Sequence, residues 1–145
     1  LHDQTRRQRQ MCIRDRARIV DPGEDITVIT WGAMVHVAMN ASRKLSMEGV
    51  DVEVIDLRTL NPFDRDTCIR SVNKTGRMIV LQEAQWTGGF GHTVSSAVLE
   101  GSFWSLESPP VVLGALDVPV PFSPPLEDHT IPDVELLVRH IKRIL

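Results

Sequence analysis

Apolar residues along the chain alternate between two periods, and the switching predicts a series of strands and helices. Ile26 to Thr30 is a short β-rich apolar run closed by Trp31-Gly32. In the stretch that follows, Met34, Val37, Ala38, Ala41 and Leu45 recur at three- and four-residue steps, which puts them on one face of a helix ending at Gly49. Val50 to Leu57 alternates and then becomes continuously apolar, as a partly buried strand does. Asn61-Pro62-Phe63-Asp64 is a turn whose aspartate can cap a helix over roughly Arg65 to Lys74, with Cys68, Ile69 and Val72 inward and a stop at Gly76.

Met78 to Leu81 reads as the third strand, and Thr87-Gly88-Gly89-Phe90-Gly91 as a tight crossover into a helix from about His92 to Glu100. Val111 to Leu116 reads as the fourth strand. A long Pro-rich loop is expected from Asp117 to Ile131, then a final helix over about Asp133 to Ile144. Loops of that length are usually functional or docked on a neighbour. Four strand–helix alternations predict an α/β fold, a three-layer α/β/α domain around a mostly parallel sheet.

Leu1 to Arg16 does not share this patterning. It has neither period and little apolar content, and the string MCIRDR resembles a translation product of sequencing adapter. A basic nucleic-acid arm and a transit peptide are the competing readings, but two aspartates and no serine suit a transit peptide badly. The segment is read as non-native, so the domain is expected to span Ala17 to Leu145 and a native chain would continue upstream.

Composition narrows the function. The 145 residues suit one domain, and 42 % apolar residues suffice for a core. No apolar run approaches the ~20 residues of a membrane span. The net charge of -3 divides into +3 on Leu1–Arg16 and -6 on the rest. A mildly acidic body argues against a nucleic-acid partner. Cys12 and Cys68 form no metal or redox spacing, and Cys68 reads as a buried inert thiol in a reducing compartment.

Candidate chemistry is sparse. Backbone N–H groups of the Gly88-Gly89-Phe90-Gly91 loop could hold an anion, but the spacing is neither a dinucleotide fingerprint nor a P-loop, and glycines that permit a sharp crossover are the plainer reading. Glu83 ends a strand where open α/β sheets bind ligands. It reads as an acid, a local cap or an interface contact, with no partner base evident. His92 follows the glycine loop and His129 lies in the Pro-rich loop, and either could face a neighbouring subunit, whereas His36 and His140 read as ordinary helix residues. Trp86, beside the glycine loop, reads as an interface residue, and Trp31 and Trp104 as core. No Ser-His-Asp or metal constellation can be assembled from spacing.

Four stretches in order carry a family resemblance: Ala17 to Gly32 (ARIV-x-x-GEDITVITWG), Val52 to Asp64 (VEVIDLRTLNPFD), Thr75 to Gly91 (TGR-x-IV-x-x-EA-x-x-TGGFG) and Asp117 to Pro132 (DVPVPFSPPLEDHTIP). Together they are similar to the C-terminal domain of the beta subunit of thiamine-diphosphate-dependent 2-oxo acid dehydrogenases acting on pyruvate, branched-chain 2-oxo acids or acetoin. A transketolase or deoxyxylulose-phosphate synthase C-terminal domain is the nearest alternative, and a free-standing α/β binding module is the third.

The resemblance implies that thiamine diphosphate and Mg²⁺ lie outside this domain, between an alpha subunit and a preceding pyrimidine-binding domain. No catalytic, cofactor-binding or metal residue is then assigned to this chain, and the fragment alone is expected to be inactive. The domain would join the beta subunits of a heterotetramer and dock the subunit-binding domain of the dihydrolipoyl acyltransferase. Glu107, ahead of the fourth strand, and the carboxylate of Leu145 are the docking positions implied, since charge-assisted pairs to a basic partner are strong. The compartment implied is bacterial cytoplasm, or mitochondrial matrix in a eukaryote.

Overall fold

The computed structural model describes residues 16–145; expectations for Leu1–Asp15 lie outside the described residues. A five-stranded sheet runs β1-β3-β2-β4-β5, with β1 (Arg18–Asp21), β2 (Ile26–Thr30), β3 (Val52–Asp56), β4 (Met78–Gln85) and β5 (Val111–Ala115). The last four are mutually parallel, and β1 pairs antiparallel with β3 at the edge. Helices are α1 (Met34–Ser46), α2 (Arg65–Thr75), α3 (Phe90–Ser102), α4 (Pro124–Thr130) and α5 (Val134–Ile144), with a single 3₁₀ turn at Phe103–Ser105.

Side-chain alternation along the strands divides the core into two layers. Ile26, Val28, Val52, Val54, Ile79 and Leu81 face α1 and α5, meeting Met34, Ala38, Ala41, Leu45, Leu137 and Ile141. Ile29, Ile55, Met78 and Val80 face the other way, onto Cys68 and Val72 of α2 and Val94 and Val98 of α3. Covering both faces explains why β2 is buried at all five positions, and why its sequence reads as an unbroken apolar run rather than an alternation. The three-layer α/β/α expectation therefore holds.

Local signals fix the helix ends. Asp64 caps α2 by accepting from the Thr67 N–H at 3.1 Å, and Asp133 caps α5 by accepting from the Leu136 N–H at 2.7 Å. Gly76 closes α2 at φ +70°, its N–H donating to Val72 O, and a side chain there would also crowd the Glu107 side chain.

Four expectations are corrected. The edge strand β1 was not anticipated. β4 runs on to Gln85, past an irregularity in its pairing with β5, instead of stopping at Leu81. The Pro-rich loop contains α4, with prolines at the first two helical positions, where missing N–H groups cost nothing. Trp104 is not core: it is 94 % exposed, because the 3₁₀ turn after α3 rotates it off the helix's buried face.

Candidate functional site

The residues singled out from the sequence collect at opposite ends of β4. At the carboxyl end, the chain leaves the sheet and returns as α3. Gln82, fully buried, organises the turn: its Oε1 accepts from the Gly91 N–H at 2.6 Å and its Nε2 donates to Gln85 O at 3.0 Å. Gly89 lies against this amide, and a Cβ there would overlap the Gln82 side chain and stand 2.6 Å from Gln85 O. The glycines thus serve close approach. The Gly91 N–H at the start of α3 is already satisfied by Gln82 and is not free to hold an anion.

Around that turn the polar groups are again paired internally. His92 contacts Trp86 O at 2.8 Å through Nε2, and its ring meets the Trp86 indole edge-to-face at 4.7 Å. The indole N–H donates to Val112 O at 3.1 Å. Thr87 donates both N–H and hydroxyl to the Asp117 carboxylate, at 2.9 and 2.7 Å, which holds that carboxyl below its usual range, and Gln85 Nε2 donates to Val118 O. Trp86 and Glu83 are exposed; Phe90 is half-buried, packed edge-on against Trp31 and Phe63.

These bonds strap the turn to an arm that exposes Leu116, Val118, Val120, Phe122 and Leu126. A shallow cleft of about 170 Å³ separates arm and strand, lined by Glu83, Gln85, Leu116, Val120 and Ile131 among others. His129 sits exposed in the last turn of α4. An exposed apolar run of this kind marks a contact surface more readily than a catalytic pocket.

The amino end of β4 is ionic. Arg77, one residue before the strand, pairs through Nη2 with Glu107 Oε2 at 2.7 Å, donates Nε–H to Ile144 O at 3.2 Å and donates Nη1–H to Asp25 O at 3.4 Å. Glu107 is tied to the same place by its own N–H, which donates to Gly76 O at 2.8 Å. The structure therefore brings together Glu107 and the C-terminal turn, ahead of the exposed Leu145, through a residue the sequence reading did not single out.

Beside them, Lys74 pairs with Glu53 at 2.5 Å and with Glu24 at 3.4 Å. Glu53 is buried at 1 % exposure, and its Oε1 has no partner among the described residues. The hydrogen bond from Lys74 to Glu53 raises the lysine pKa above its ordinary 10.5.

Among the described residues, no three of His, Cys, Asp and Glu come together as metal ligands. Cys68 is fully buried, and desolvation, with the Asp64 charge adding to it, pushes its thiol up to about 12. No helix among the described residues is long and apolar enough to cross a membrane.

An open, mostly parallel α/β sheet with one antiparallel edge strand, helices on both faces and exposed residues gathered at two ends defines a three-layer α/β/α domain. The chain belongs to the transketolase C-terminal domain family, whose model matches residues 15–137. It is 38 % identical to the beta-4 subunit of the chloroplastic pyruvate dehydrogenase E1 component of Oryza sativa subsp. japonica, over 92 % of this chain and 33 % of that one. It is 41 % identical to the beta subunit of the acetoin:2,6-dichlorophenolindophenol oxidoreductase of Cupriavidus necator, over 80 % of this chain and 34 % of that one. Among solved structures it superimposes on a split-gene transketolase in an inactive beta4 tetramer with a TM-score of 0.73 and 27 % identity, covering 91 % of this chain and 42 % of that one. The chain thus spans about a third of the length of the curated relatives it matches.

Proposed function

We propose that this chain is the C-terminal assembly domain of a 2-oxo acid dehydrogenase beta subunit, occupying Ala17 to Leu145. The observation that carries the reading is the similarity to beta subunits over nearly the whole chain and only a third of theirs. The whole enzyme would decarboxylate a 2-oxo acid on thiamine diphosphate and Mg²⁺ bound outside this domain, and transfer the acyl group to lipoamide.

In this reading the domain contributes surfaces. The apolar arm from Leu116 to Leu126, together with Glu83, Trp86, Gly88, Gly89, Phe90, His92 and His129 at the same end, meets the other subunits. Glu107, paired with Arg77 at the opposite end, and the carboxylate of Leu145, which follows the Ile144 carbonyl that Arg77 also holds, receive the basic subunit-binding domain of a dihydrolipoyl acyltransferase. The compartment would be bacterial cytoplasm or mitochondrial matrix; the rice relative is chloroplastic.

The test is reconstitution. The chain alone should show no 2-oxo acid decarboxylation. Fused behind a pyrimidine-binding domain and co-expressed with an alpha subunit, it should restore lipoamide acylation. Decarboxylation by the isolated chain at ordinary rates would overturn the assembly reading. Failure to retain a subunit-binding domain, with transketolase activity in the fused protein, would favour a transketolase C-terminal domain, a reading that the split-gene transketolase likeness also supports.

A further inference from the structure

At the carboxyl end of the sheet, the chain from Leu116 to Thr130 forms an arm that the hydrophobic core does not hold. None of its residues is buried. α4 within it has seven residues and no buried side chain, and an isolated helix shorter than about 12 residues is marginal in water. The Leu116 N–H donates to Thr130 O at 2.9 Å and staples the two ends of the arm together. Between those ends, four prolines among residues 119–125 stiffen the chain. The arm is thus a closed loop with little internal freedom, standing off β4 across the cleft of about 170 Å³. Among the described residues, its hydrogen bonds to the rest of the domain come from Gln85 and Thr87, at the end of β4 and in the turn that follows. Thr87 gives its N–H and hydroxyl to the Asp117 carboxylate at 2.9 and 2.7 Å, and Gln85 Nε2 donates to Val118 O at 2.7 Å. No ion pair among the described residues involves the arm.

We infer that Thr87 and Asp117 form a latch that presets the arm, and that the arm swings free as one body, with the domain still folded, when the latch is broken. The arm lacks apolar anchoring, so polar bonds decide its position. Those bonds gather at the two residues after Leu116, so losing them frees everything as far as Thr130. The turn that carries the latch is itself fixed, because the buried Gln82 amide holds Gln85 O and the Gly91 N–H on either side of Thr87. A rigid mount under a loosely packed segment lets that segment open locally at far lower cost than global unfolding. Asp117 is thus a positioning residue that acts through the arm. What the arm then does rests on the assembly reading above. A preset arm presents Val120, Phe122 and Leu126 with its ordering entropy already lost, so association costs less than it would for a swinging one.

The experiment is hydrogen–deuterium exchange of the full chain, read by mass spectrometry over the arm and the sheet, beside urea unfolding. In the wild type the arm amides, led by Leu116 and Val118, should exchange more slowly than in an unstructured peptide of the same sequence. Asp117→Ala should speed them at least about ten-fold while leaving β2, β4 and the urea midpoint unchanged. Thr87→Val keeps the backbone donor and should give a smaller acceleration of the same amides. Asp128→Ala, on the same arm but outside the latch, is the control and should change nothing. In the protein fused behind a pyrimidine-binding domain, Asp117→Ala should weaken association with the alpha subunit about three-fold or more.

Wild-type arm amides that already exchange at the peptide rate would mean that nothing holds the arm, and the inference is overturned. It is also overturned if Asp117→Ala changes arm exchange by less than about two-fold, or if it speeds β2 and β4 equally, since the bond would then be a tie of the whole fold. The exchange readout needs no partner. If Asp117→Ala frees the arm and the fused wild-type protein binds no alpha subunit, the latch stands and the assembly reading falls. A freed arm with unchanged association upholds the latch and overturns its part in assembly.

Discussion

The two ends of β4 solve the same problem, a chain entering or leaving a buried strand, with opposite chemistry. At the carboxyl end a neutral amide does the work: Gln82 gives and takes one hydrogen bond inside the protein, and the glycines beside it make room. At the amino end charges do it: Arg77, Glu107, Lys74 and Glu53 pair across the ends of separate elements, and most of them reach solvent. Neutral buried bonds hold a shape at every ionic strength. Ion pairs near the surface contribute little to folding and remain available to a charged partner. The carboxyl end is thus fixed by buried neutral bonds, and the amino end is held by ion pairs that mostly reach solvent.

The comparison breaks most visibly at Gly89. Gly89→Ala pushes a methyl group into the Gln82 amide and against Gln85 O, where the backbone cannot yield cheaply. We expect a loss of about 4 kcal/mol in urea unfolding, among the larger single-residue effects. Gln82→Leu, which keeps volume but orphans the Gly91 N–H and Gln85 O, should cost about 2 kcal/mol. Costs below 0.5 kcal/mol for both would mean the turn is not rigid.

At the amino end the largest effect belongs to the one buried charge. Lys74→Met strips Glu53 of its cation and leaves only the long contact from the Gly23 N–H at 3.4 Å. The expected cost is about 3 kcal/mol. Adding Glu53→Gln to that variant should recover part of it. If the double variant is no better than Lys74→Met alone, the two residues do not act as a pair.

Much of this was legible beforehand. The strand and helix periods show in the sequence because both faces of the sheet are covered, and Asp64, Gly49 and Gly76 mark their boundaries by local chemistry. What escaped depends on partners distant in sequence. β1 is four residues with no period, and exists through its pairing with β3. Arg77 looks like a turn residue until the C-terminal turn arrives beside it. Gln82 did leave a signal: a glutamine closing the apolar run MIVLQ must find partners, and glycine N–H groups follow. The prolines that suggested an open loop were also a helix start, since Ser123-Pro124-Pro125 suits a first turn. Trp104 was misplaced because the tightening of α3 into a 3₁₀ turn shifts the helical phase.

A smaller effect appears at alkaline pH. The Cys68 thiol is raised from 9.0 to about 12 in the folded protein. A pKa raised on folding means that stability is intact below the unfolded value and falls as pH rises toward the folded one, because unfolding releases the proton. Lys74, raised by its bond to Glu53, adds a loss of the same sign above its ordinary 10.5. Between pH 9 and 11 stability should fall, by at most about 1.4 kcal/mol per pH unit from the thiol. In a Cys12→Ser background, Cys68→Ala should flatten the part of that slope beginning near pH 9. Unchanged slopes would assign the loss to other groups.

The smallest effect is the sharpest test of the contrast. Glu107 makes one ion pair, to a partly exposed Arg77, with more than half of its side chain in water. Such pairs contribute about 0–1 kcal/mol. Glu107→Gln should therefore move the unfolding free energy by no more than about 0.5 kcal/mol, and added salt should hide even that. Arg77→Ala should cost more, about 1–2 kcal/mol, because it also strips the bonds to Ile144 O and Asp25 O. The order matters more than either value. If Arg77 outweighs Glu107, the arginine is the structural member of the pair, and the acid is held at the surface with little folding energy invested in it. A Glu107→Gln loss equal to that of Arg77→Ala would make the acid a structural tie, and the amino end would then resemble the carboxyl end after all.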